Sequence, residues 1–450
     1  MTRPAGSVGA EADGRPRFAL IGAGPSGLAG ARNLSKLGLD FDGFESASEV
    51  GGLWNIDNPR STMYESAHLI SSRTTTQFAE FPMPEDGPDY PGHAEVRRYL
   101  SAFADEFDLL KHFRFDSKVT SVKPVDDSDA RWRVTWDGPE GTESAVYDGV
   151  ILANGTLAEP SIPMFPGHFR GELLHSSSYT SPDIFQGKRV LIVGAGNSGC
   201  DIAVDAVHHA ASVDMSVRRG YYFVPKYLLG RPADTLNQGR PLPARIKQWL
   251  DTRLLRLFTG DPVKFGFPEP DYRIYESHPI VNTLVLQHLG QGDLRVRPDI
   301  ERFRNRTVYF ADGTNDEYDL VMLATGYVLD YPFIARRHLN WTDLAPKLYL
   351  NIFSSANFAK EGFNGIYVLG MVEALGLGWQ GRYEQAELLA RYLSSEPATR
   401  RNFEARAAKP WPDLTGGYRY LGLERMSYYV NKDAYRRAVK KLTRTLKEKS

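Results

Sequence analysis

Six glycines fall into two triplets of identical spacing, Gly22, Gly24 and Gly27, then Gly194, Gly196 and Gly199. Each triplet follows a short apolar run and opens an amphipathic stretch: "RFALIGAGPSGLAGARNL" from residue 17 and "RVLIVGAGNSGCDIA" from residue 189. Strand, glycine turn and helix in that order form a pyrophosphate-binding device. The first glycine permits the tight turn, the second lets backbone approach the phosphates, and the third lets the helix pack on the strand. The helix N-terminus adds free N–H groups and the positive end of its dipole. Pro25 and Ser26 complete the first turn, Asn197 and Ser198 the second. The latter two are expected to define the backbone, with the Ser198 hydroxyl also available to a phosphate.

The strands after the two helices distinguish the devices. "DFDGFE" reads as the next strand and ends at Glu45, where an acid accepts hydrogen bonds from both ribose hydroxyls and so selects FAD or NAD. "SVDMSVRR" ends instead in Arg218 and Arg219, two cations suited to a ribose bearing an extra phosphate, as in NADPH. Lys226, in "FVPKY", is a further candidate contact to that nucleotide. A chain with both sites passes electrons from one dinucleotide to the other, with FAD the expected resident and NADPH the donor.

The elements that must hold these residues imply an α/β fold of two Rossmann-like dinucleotide-binding domains, the NADPH domain inserted into the FAD domain. "YDGVILANG" (147–155) and "YDLVMLATG" (318–326) each read as an apolar strand ending in a small-residue turn that closes one unit, with Thr325 and Gly326 in the second turn. The expected boundaries are a disordered leader over 1–14, the first part of the FAD-binding domain over 15–179, the NADPH-binding domain over 180–326, and the second FAD part with C-terminal helices over 327–450. Within the insert, "PLPARIKQWLDTRLLRLFTG" reads as one or two helices with a basic amphipathic face, for which a solvated face outweighs a membrane role.

Composition excludes several classes. The 54 Lys and Arg against 55 Asp and Glu leave a formal charge of -1, so no strong field draws nucleic acid or an acidic membrane. No apolar run reaches the roughly 18 residues of a membrane span, and the first residues lack a signal-peptide core. A cytoplasmic protein without a membrane anchor is the expectation, and a homodimer the default assembly. One cysteine, Cys200, excludes disulfide scaffolds, Cys-rich zinc sites and dithiol flavin chemistry. No metal site is expected, and Cys200 reads as a small buried thiol.

Just before the second glycine turn, "FRGELLHSSSY" sets Phe169, Gly171, His175 and Tyr179 in an FxGxxxHxxxY pattern. "ESASEVGGLWN" (45–55), "FPMP" (81–84), "HPIVN" (278–282), "LATGY" (323–327) and "LYLNIF" (348–353) accompany it. With these the chain resembles the flavin-containing monooxygenases, class B flavoprotein monooxygenases related to the Baeyer–Villiger enzymes. The resemblance implies that NADPH reduces FAD, that the reduced flavin adds O₂, and that a flavin hydroperoxide transfers one oxygen atom to a soft nucleophile. The amine nitrogen or sulfide sulfur of a small organic substrate is the implied target. Baeyer–Villiger oxygenation of a ketone is the alternative, with an NADPH oxidase or flavin reductase behind it.

The resemblance also implies that Gly52, Leu53 and Trp54 lie at FAD. It makes Gln380 and Glu384, in "GLGWQGRYEQAELLA", candidate polar contacts near the flavin ring, an ordinary helix N-terminus being the equal alternative. For His175 a hydrogen-bonded structural role is favoured over domain motion, nucleotide binding or direct chemistry. The chain departs from the family at "LISSRTTTQF" (69–78), where an Asn is usual and Ile70, Ser71 and Ser72 stand instead. Ser71 or Ser72 is expected to take over its hydrogen bond, with Arg73 as a nearby cation. That departure raises the weight of ketone oxygenation.

Overall fold

The computed structural model of the chain describes residues 16–126, 131–236, 242–342, 344–354 and 363–447; the expected leader, 1–14, lies outside them. Ten strands form the two sheets that matter here: β1 Arg17–Ile21, β2 Asp40–Phe44, β3 Phe113–Arg114, β4 Gly149–Leu152, β5 Glu172–His175, β6 Arg189–Val193, β7 Ser212–Ser216, β8 Leu294–Arg297, β9 Leu320–Leu323 and β10 Ile366–Val368. The first sheet runs β10-β4-β1-β2-β3 and the second β5-β9-β6-β7-β8, every pair parallel. Both central strands are covered on two faces, which is why they read as unbroken apolar runs rather than alternating ones.

The helices that bear on the site are α1 Pro25–Lys36, α2 Asn197–Val207, α3 Ala244–Thr259, α4 Gly378–Ser394 and α5 Lys432–Lys447. In α1, proline at the first turn fits the fixed φ of a helix start, and no β-branched residue interrupts the run. Its Leu28, Ala29, Ala31 and Leu34 turn inward, and at Gly38 a φ of +66° ends it. The buried face joins a core that includes Leu20, Leu369, Leu388 and Leu389 of the first sheet and α4.

Two sequence expectations shift. The second sheet begins at Glu172, because the fingerprint stretch itself forms β5, His175 pairing with Leu323 of β9. The boundary expected at 180 therefore falls one strand late; four residues are too short a run to show a period. The chain leaves the first sheet after β4 and rejoins it at β10, beside β4, after the last strand of the second sheet. The second shift concerns α3, a single helix in which only Gln248 and Leu255 are buried. Arg245, Arg253 and Arg256 are exposed as expected, but large apolar side chains point outward beside them, so the solvated basic face is also an apolar one.

Candidate active site

Where β1 ends, Gly22 takes a φ of +105°, and its N–H donates to the Phe44 carbonyl at 2.8 Å. A Cβ there would sit 2.5 Å from the Ala153 carbonyl oxygen, and one on Gly27 would overlap the Gly22 carbonyl. The α1 N-terminus has no side-chain cap, which leaves its first N–H groups to an anion. Glu45, directly after β2, is buried. Its Oε2 accepts from Ala23 N at 2.7 Å, and its Oε1 from Ala47 N at 3.0 Å. The carboxylate is thus fixed against the turn. Gly51 and Gly52, both at positive φ, fold the turn Gly52–Trp54 over it: Gly51 N donates to Ala23 O at 3.0 Å, and a Cβ on Gly24 would lie 3.5 Å from Gly52 Cα. The Leu53 carbonyl accepts from Ser61 Oγ, and Trp54 meets Trp379 edge-on at 6.4 Å.

The second turn repeats the first. Gly194 has a φ of +104°, donates to Ser216 O at 2.9 Å, and would bring a Cβ to 2.6 Å from Ala324 O. A Cβ on Gly199 would overlap the Gly194 carbonyl, and α2 likewise has no side-chain cap. Around Gly196, by contrast, a Cβ would meet nothing within 4 Å. Asn197 does define backbone: its Oδ1 accepts from Val281 N at 2.7 Å, which anchors the "HPIVN" segment. Ser198 hydrogen-bonds the Tyr64 phenol.

Val217, not an arginine, is the topological counterpart of Glu45. Its N–H donates to Arg297 O at 2.8 Å as that of Glu45 donates to Arg114 O at 2.9 Å. Arg218 and Arg219 come next, the first exposed and the second half-buried. Neither has an ion-pair partner among the described residues, although Arg219 lies 5.6 Å over the Tyr221 ring. Burial lowers the Lys226 ammonium below its ordinary pKa while Asp201 of α2 opposes the shift. Burial also raises Asp201, against the bonds from Asn282 at 2.5 Å and Tyr64 at 3.2 Å. Lys226 therefore faces the glycine-turn helix, its Nζ 5.1 Å from the Tyr90 ring centroid.

The fingerprint residues build the joint between the two units. Phe169 packs on Phe303 at 5.4 Å, and a Cβ on Gly171 would come within 2.6 Å of Asp319 O. His175 Nε2 lies 3.1 Å from Gly326 O, and its Nδ1 accepts from Ser177 N at 3.0 Å. That pattern requires the neutral Nε2–H imidazole, and burial lowers its pKa in the same sense. Thr325 Oγ1 donates to Ser161 O at 2.5 Å, while Gly326 turns the chain with a φ of +84°.

Tyr179 donates to Asp205 at 2.7 Å, and Ser66 donates to the same carboxylate at 2.5 Å. With Tyr64 on Asp201, two acids one turn apart on α2 tie residues 64–66 to the second unit. Sequence reasoning missed them; two acids at i, i+4 beside the glycine turn were the available signal.

The three residues expected to act on the substrate behave differently from one another. Ser71 Oγ bonds Thr76 Oγ1 at 2.7 Å. Ser72, at the N-cap of the short helix Arg73–Thr76, gives both its N–H and its hydroxyl to Asp234 Oδ2, at 2.7 and 3.1 Å. Arg73 donates to the Pro84 and Glu85 carbonyls, the latter at 2.6 Å; it is a loop clamp, not a free cation. Asp234, another residue missed, holds the serine segment from within the inserted stretch.

The pair on α4 likewise has partners within the protein. Gln380 Oε1 accepts from Ala79 N at 2.8 Å, and buried Glu384 pairs with Arg436 at 3.2 Å and Lys440 at 3.5 Å of α5. A buried carboxylate needs cations close by, and α5 supplies them. Cys200 is fully buried, and burial raises its thiol pKa, so it is not a nucleophile.

The donor set fits two dinucleotides: uncapped helix N-termini above glycine turns, an acid at one ribose position and free arginines at the other. Residues 15–395 match the family model "Flavin-binding monooxygenase-like". Flavin-containing monooxygenase 1 of Homo sapiens is 33% identical over 379 residues, 80% of this chain and 70% of that protein. Dimethylaniline monooxygenase [N-oxide-forming] 2 of Pan troglodytes is 32% identical over 398 residues, 84% of this chain and 72% of that one. Among solved structures, S-allyl-L-cysteine S-oxygenase from Allium sativum superposes with a TM-score of 0.65 at 22% identity, over 96% of this chain and 89% of that one. An open form of cyclohexanone monooxygenase gives 0.68 at 19%, over 96% and 98%. Among the described residues no helix is long and apolar enough to cross a membrane.

Proposed function

Because the chain belongs to the flavin-binding monooxygenase-like family, and is an FAD- and NADPH-dependent monooxygenase, we propose that it oxygenates the nitrogen or sulfur of a small organic nucleophile at the junction of its two dinucleotide units. FAD held at the first turn would supply hydride acceptance from NADPH and O₂ activation, the overall balance being substrate, NADPH, H⁺ and O₂ to oxygenated substrate, NADP⁺ and water. The observation that carries the reading is the pair of equivalent positions after β2 and β7: Glu45 in one unit, Val217 with Arg218 and Arg219 in the other. An acid there receives the ribose hydroxyls of FAD and repels a 2′-phosphate, and the two arginines attract one. The N-oxide-forming relative supports nitrogen as one target.

Within this reading the chain's own groups bind and position. The Gly22, Gly24 and Gly27 turn with Glu45 holds FAD, under the cover of Gly52–Trp54. The Gly194, Gly196 and Gly199 turn holds the NADPH pyrophosphate, and Arg218 and Arg219 its extra phosphate. His175 stays neutral and fixes the Gly326 turn. Ser72, held by Asp234, sets the course of the serine segment.

Steady-state turnover with a tertiary amine, a sulfide and a cyclic ketone tests the substrate class, with NADPH consumed, product formed and H₂O₂ released all counted. One N- or S-oxide per NADPH is expected. Ester formation from the ketone at a higher kcat/KM would transfer the assignment to Baeyer–Villiger chemistry. Peroxide equal to NADPH with every substrate would reject oxygen transfer.

A further inference from the structure

A bond between His278 and Tyr429 joins the two units at a point that neither cofactor site uses. His278 opens the "HPIVN" segment, which the second glycine turn holds from both sides. Asn197, the first residue of α2, accepts from Val281 N at 2.7 Å through Oδ1 and donates to the Pro279 carbonyl at 3.4 Å through Nδ2. The His278 ring then crosses to the other unit, its Nδ1 3.0 Å from the Tyr429 hydroxyl. Desolvation and the nearby Arg425 keep the imidazole neutral, its pKa pushed down to about 4 against the pull of Glu373. Burial raises the pKa of the Tyr429 phenol, and its oxygen accepts from the Leu375 N–H. The phenol therefore keeps its proton and donates to Nδ1.

Leu375 lies in the stretch 369–377, between β10 and α4. A Cβ on Gly370 would overlap the Ser26 side chain in the first glycine turn, and one on Gly378, at the head of α4, would overlap the Thr75 carbonyl. The loop thus runs from the first turn to the serine segment, outside the carboxyl end of β10, where an open α/β sheet holds its ligand. Glu373 pins it to the chain around Tyr429. Its N–H donates to Tyr428 O at 3.3 Å, its carbonyl accepts from Val430 N at 2.8 Å, and its carboxylate lies 3.4 Å from Arg425. The bonds of Tyr64, Ser66 and Ser72 to Asp201, Asp205 and Asp234 tie the units at residues 64–72. The bond from His278 reaches instead the loop against the first turn.

We propose that His278 and Tyr429 are positioning residues for flavin reduction, their bond setting the second glycine turn at a fixed distance from the loop beside the first. One hydride passes between the cofactors, taking NADPH and FAD to NADP⁺ and FADH⁻, and such a transfer is sensitive to shifts of about 1 Å. The inference rests on FAD at the first turn and NADPH at the second.

Anaerobic stopped-flow reduction of the FAD-loaded full chain separates the limiting rate from the Kd for NADPH. Tyr429→Phe should lower the limiting rate about tenfold and leave the Kd nearly unchanged. His278→Leu, which keeps the Leu375 bond, should do the same and serves if Tyr429→Phe loads little flavin. His278→Asn, which restores an acceptor near the place of Nδ1, should recover most of the rate. Hydrogen exchange gives a readout without turnover: NADP⁺ added to the oxidised protein should slow exchange across 369–377, and His278→Leu should lose that slowing. An unchanged limiting rate in both Tyr429→Phe and His278→Leu overturns the proposal. So does an equal loss in His278→Asn and His278→Leu, which would make the ring mere packing, or a raised Kd at an intact limiting rate, which would place the pair in nucleotide binding. NADPH that leaves the flavin of the unaltered protein oxidised would overturn the cofactor assignment itself.

Discussion

The two dinucleotide units are one device built twice, and their likeness runs deeper than the glycines. Arg17 and Arg189 open the central strands, and their backbone N–H groups donate to Asp148 at 2.7 Å and Asp319 at 2.9 Å. Tyr147 and Tyr318, each just before those acids, donate to Asp42 at 2.7 Å and Asp214 at 2.6 Å, both third in their strands. Against this shared frame the differences stand out. The first turn is roofed by Gly51 and Gly52, while the space around Gly196 is open. The first ribose position carries an acid and the second a valine followed by two arginines. A roofed site suits a cofactor that stays, and an open one suits a cofactor that must enter and reduce it. The shared frame thus supplies phosphate binding, and a few residues at its rim set identity and exchange.

The frame itself is the costliest thing to disturb. Gly27→Ala and Gly199→Ala each drive a methyl into a backbone carbonyl that cannot retreat, so each should cost about 4 kcal/mol or more and yield little flavin-loaded protein. Gly196→Ala meets no neighbour and should move the melting temperature hardly at all, while raising the KM for NADPH. Equal thermal loss in Gly196→Ala and Gly199→Ala would refute the open-site reading.

Next in size is the strand aspartate. Asp214 is 1% exposed and binds Arg295 at 2.9 Å and Arg297 at 2.8 Å, whereas Asp42 shares Tyr147 and a half-exposed Arg17. Asp214→Asn removes the buried charge that Arg295, Tyr318 and half-buried Arg297 share, although Arg297 keeps Asp316 at 2.7 Å, and should cost about 2 kcal/mol in denaturant unfolding. Asp42→Asn, nearer solvent, should cost about 1 kcal/mol. Similar losses at both sites would mean that burial does not distinguish the units.

That ladder marks where the sequence was legible and where it was not. Both glycine turns, their helices and the closing strands at 149–152 and 320–323 could be read because backbone approach and two-sided burial restrict residue type over several consecutive positions. Asp42 and Asp214 went unread, since a lone acid in a strand gains meaning only beside its tyrosine some hundred residues away in sequence, a tertiary fact. The partners that Arg73, Gln380 and Glu384 take within the protein went unread for a related reason. Proximity to a motif says nothing about where a long polar side chain turns, and carbonyls or cations nearer at hand captured all three. Ser72 was expected to bond toward the flavin; the bond it makes within the protein is to Asp234 of the inserted stretch, which no spacing announces. On α3 the amphipathic period was visible, but only packing reveals which face turns inward.

The rim residues give a smaller, more specific effect. Each charge-assisted contact to a 2′-phosphate contributes about 1.5 kcal/mol. Arg218→Ala with Arg219→Ala should therefore raise the KM for NADPH on the order of a hundredfold and leave that for NADH nearly unchanged. Adding Val217→Glu should rebuild the first unit's acid in the second and favour NADH outright. An equal loss with both nucleotides would place the arginines elsewhere than at the phosphate.

The smallest effect separates the sheets by pH. By register His175 of β5 stands where the first sheet has Val368 of β10, so only one sheet carries a titrating group at that place. Packed edge-on against Tyr327 and bonded to Gly326 O, His175 has its pKa lowered by burial. The unfolded chain takes up this proton near the ordinary value of about 6.5, before the folded chain does. Its contribution to stability is thus complete above about pH 6.5 and falls away as pH drops toward the lower folded value. The melting temperature should decline across that window. His175→Gln, whose amide can still donate to Gly326 O but does not titrate, should flatten the decline while lowering stability slightly at neutral pH. An unchanged slope in the variant would assign the acid sensitivity to other groups, with His278 the first to examine, since desolvation and the nearby Arg425 push its pKa down to about 4.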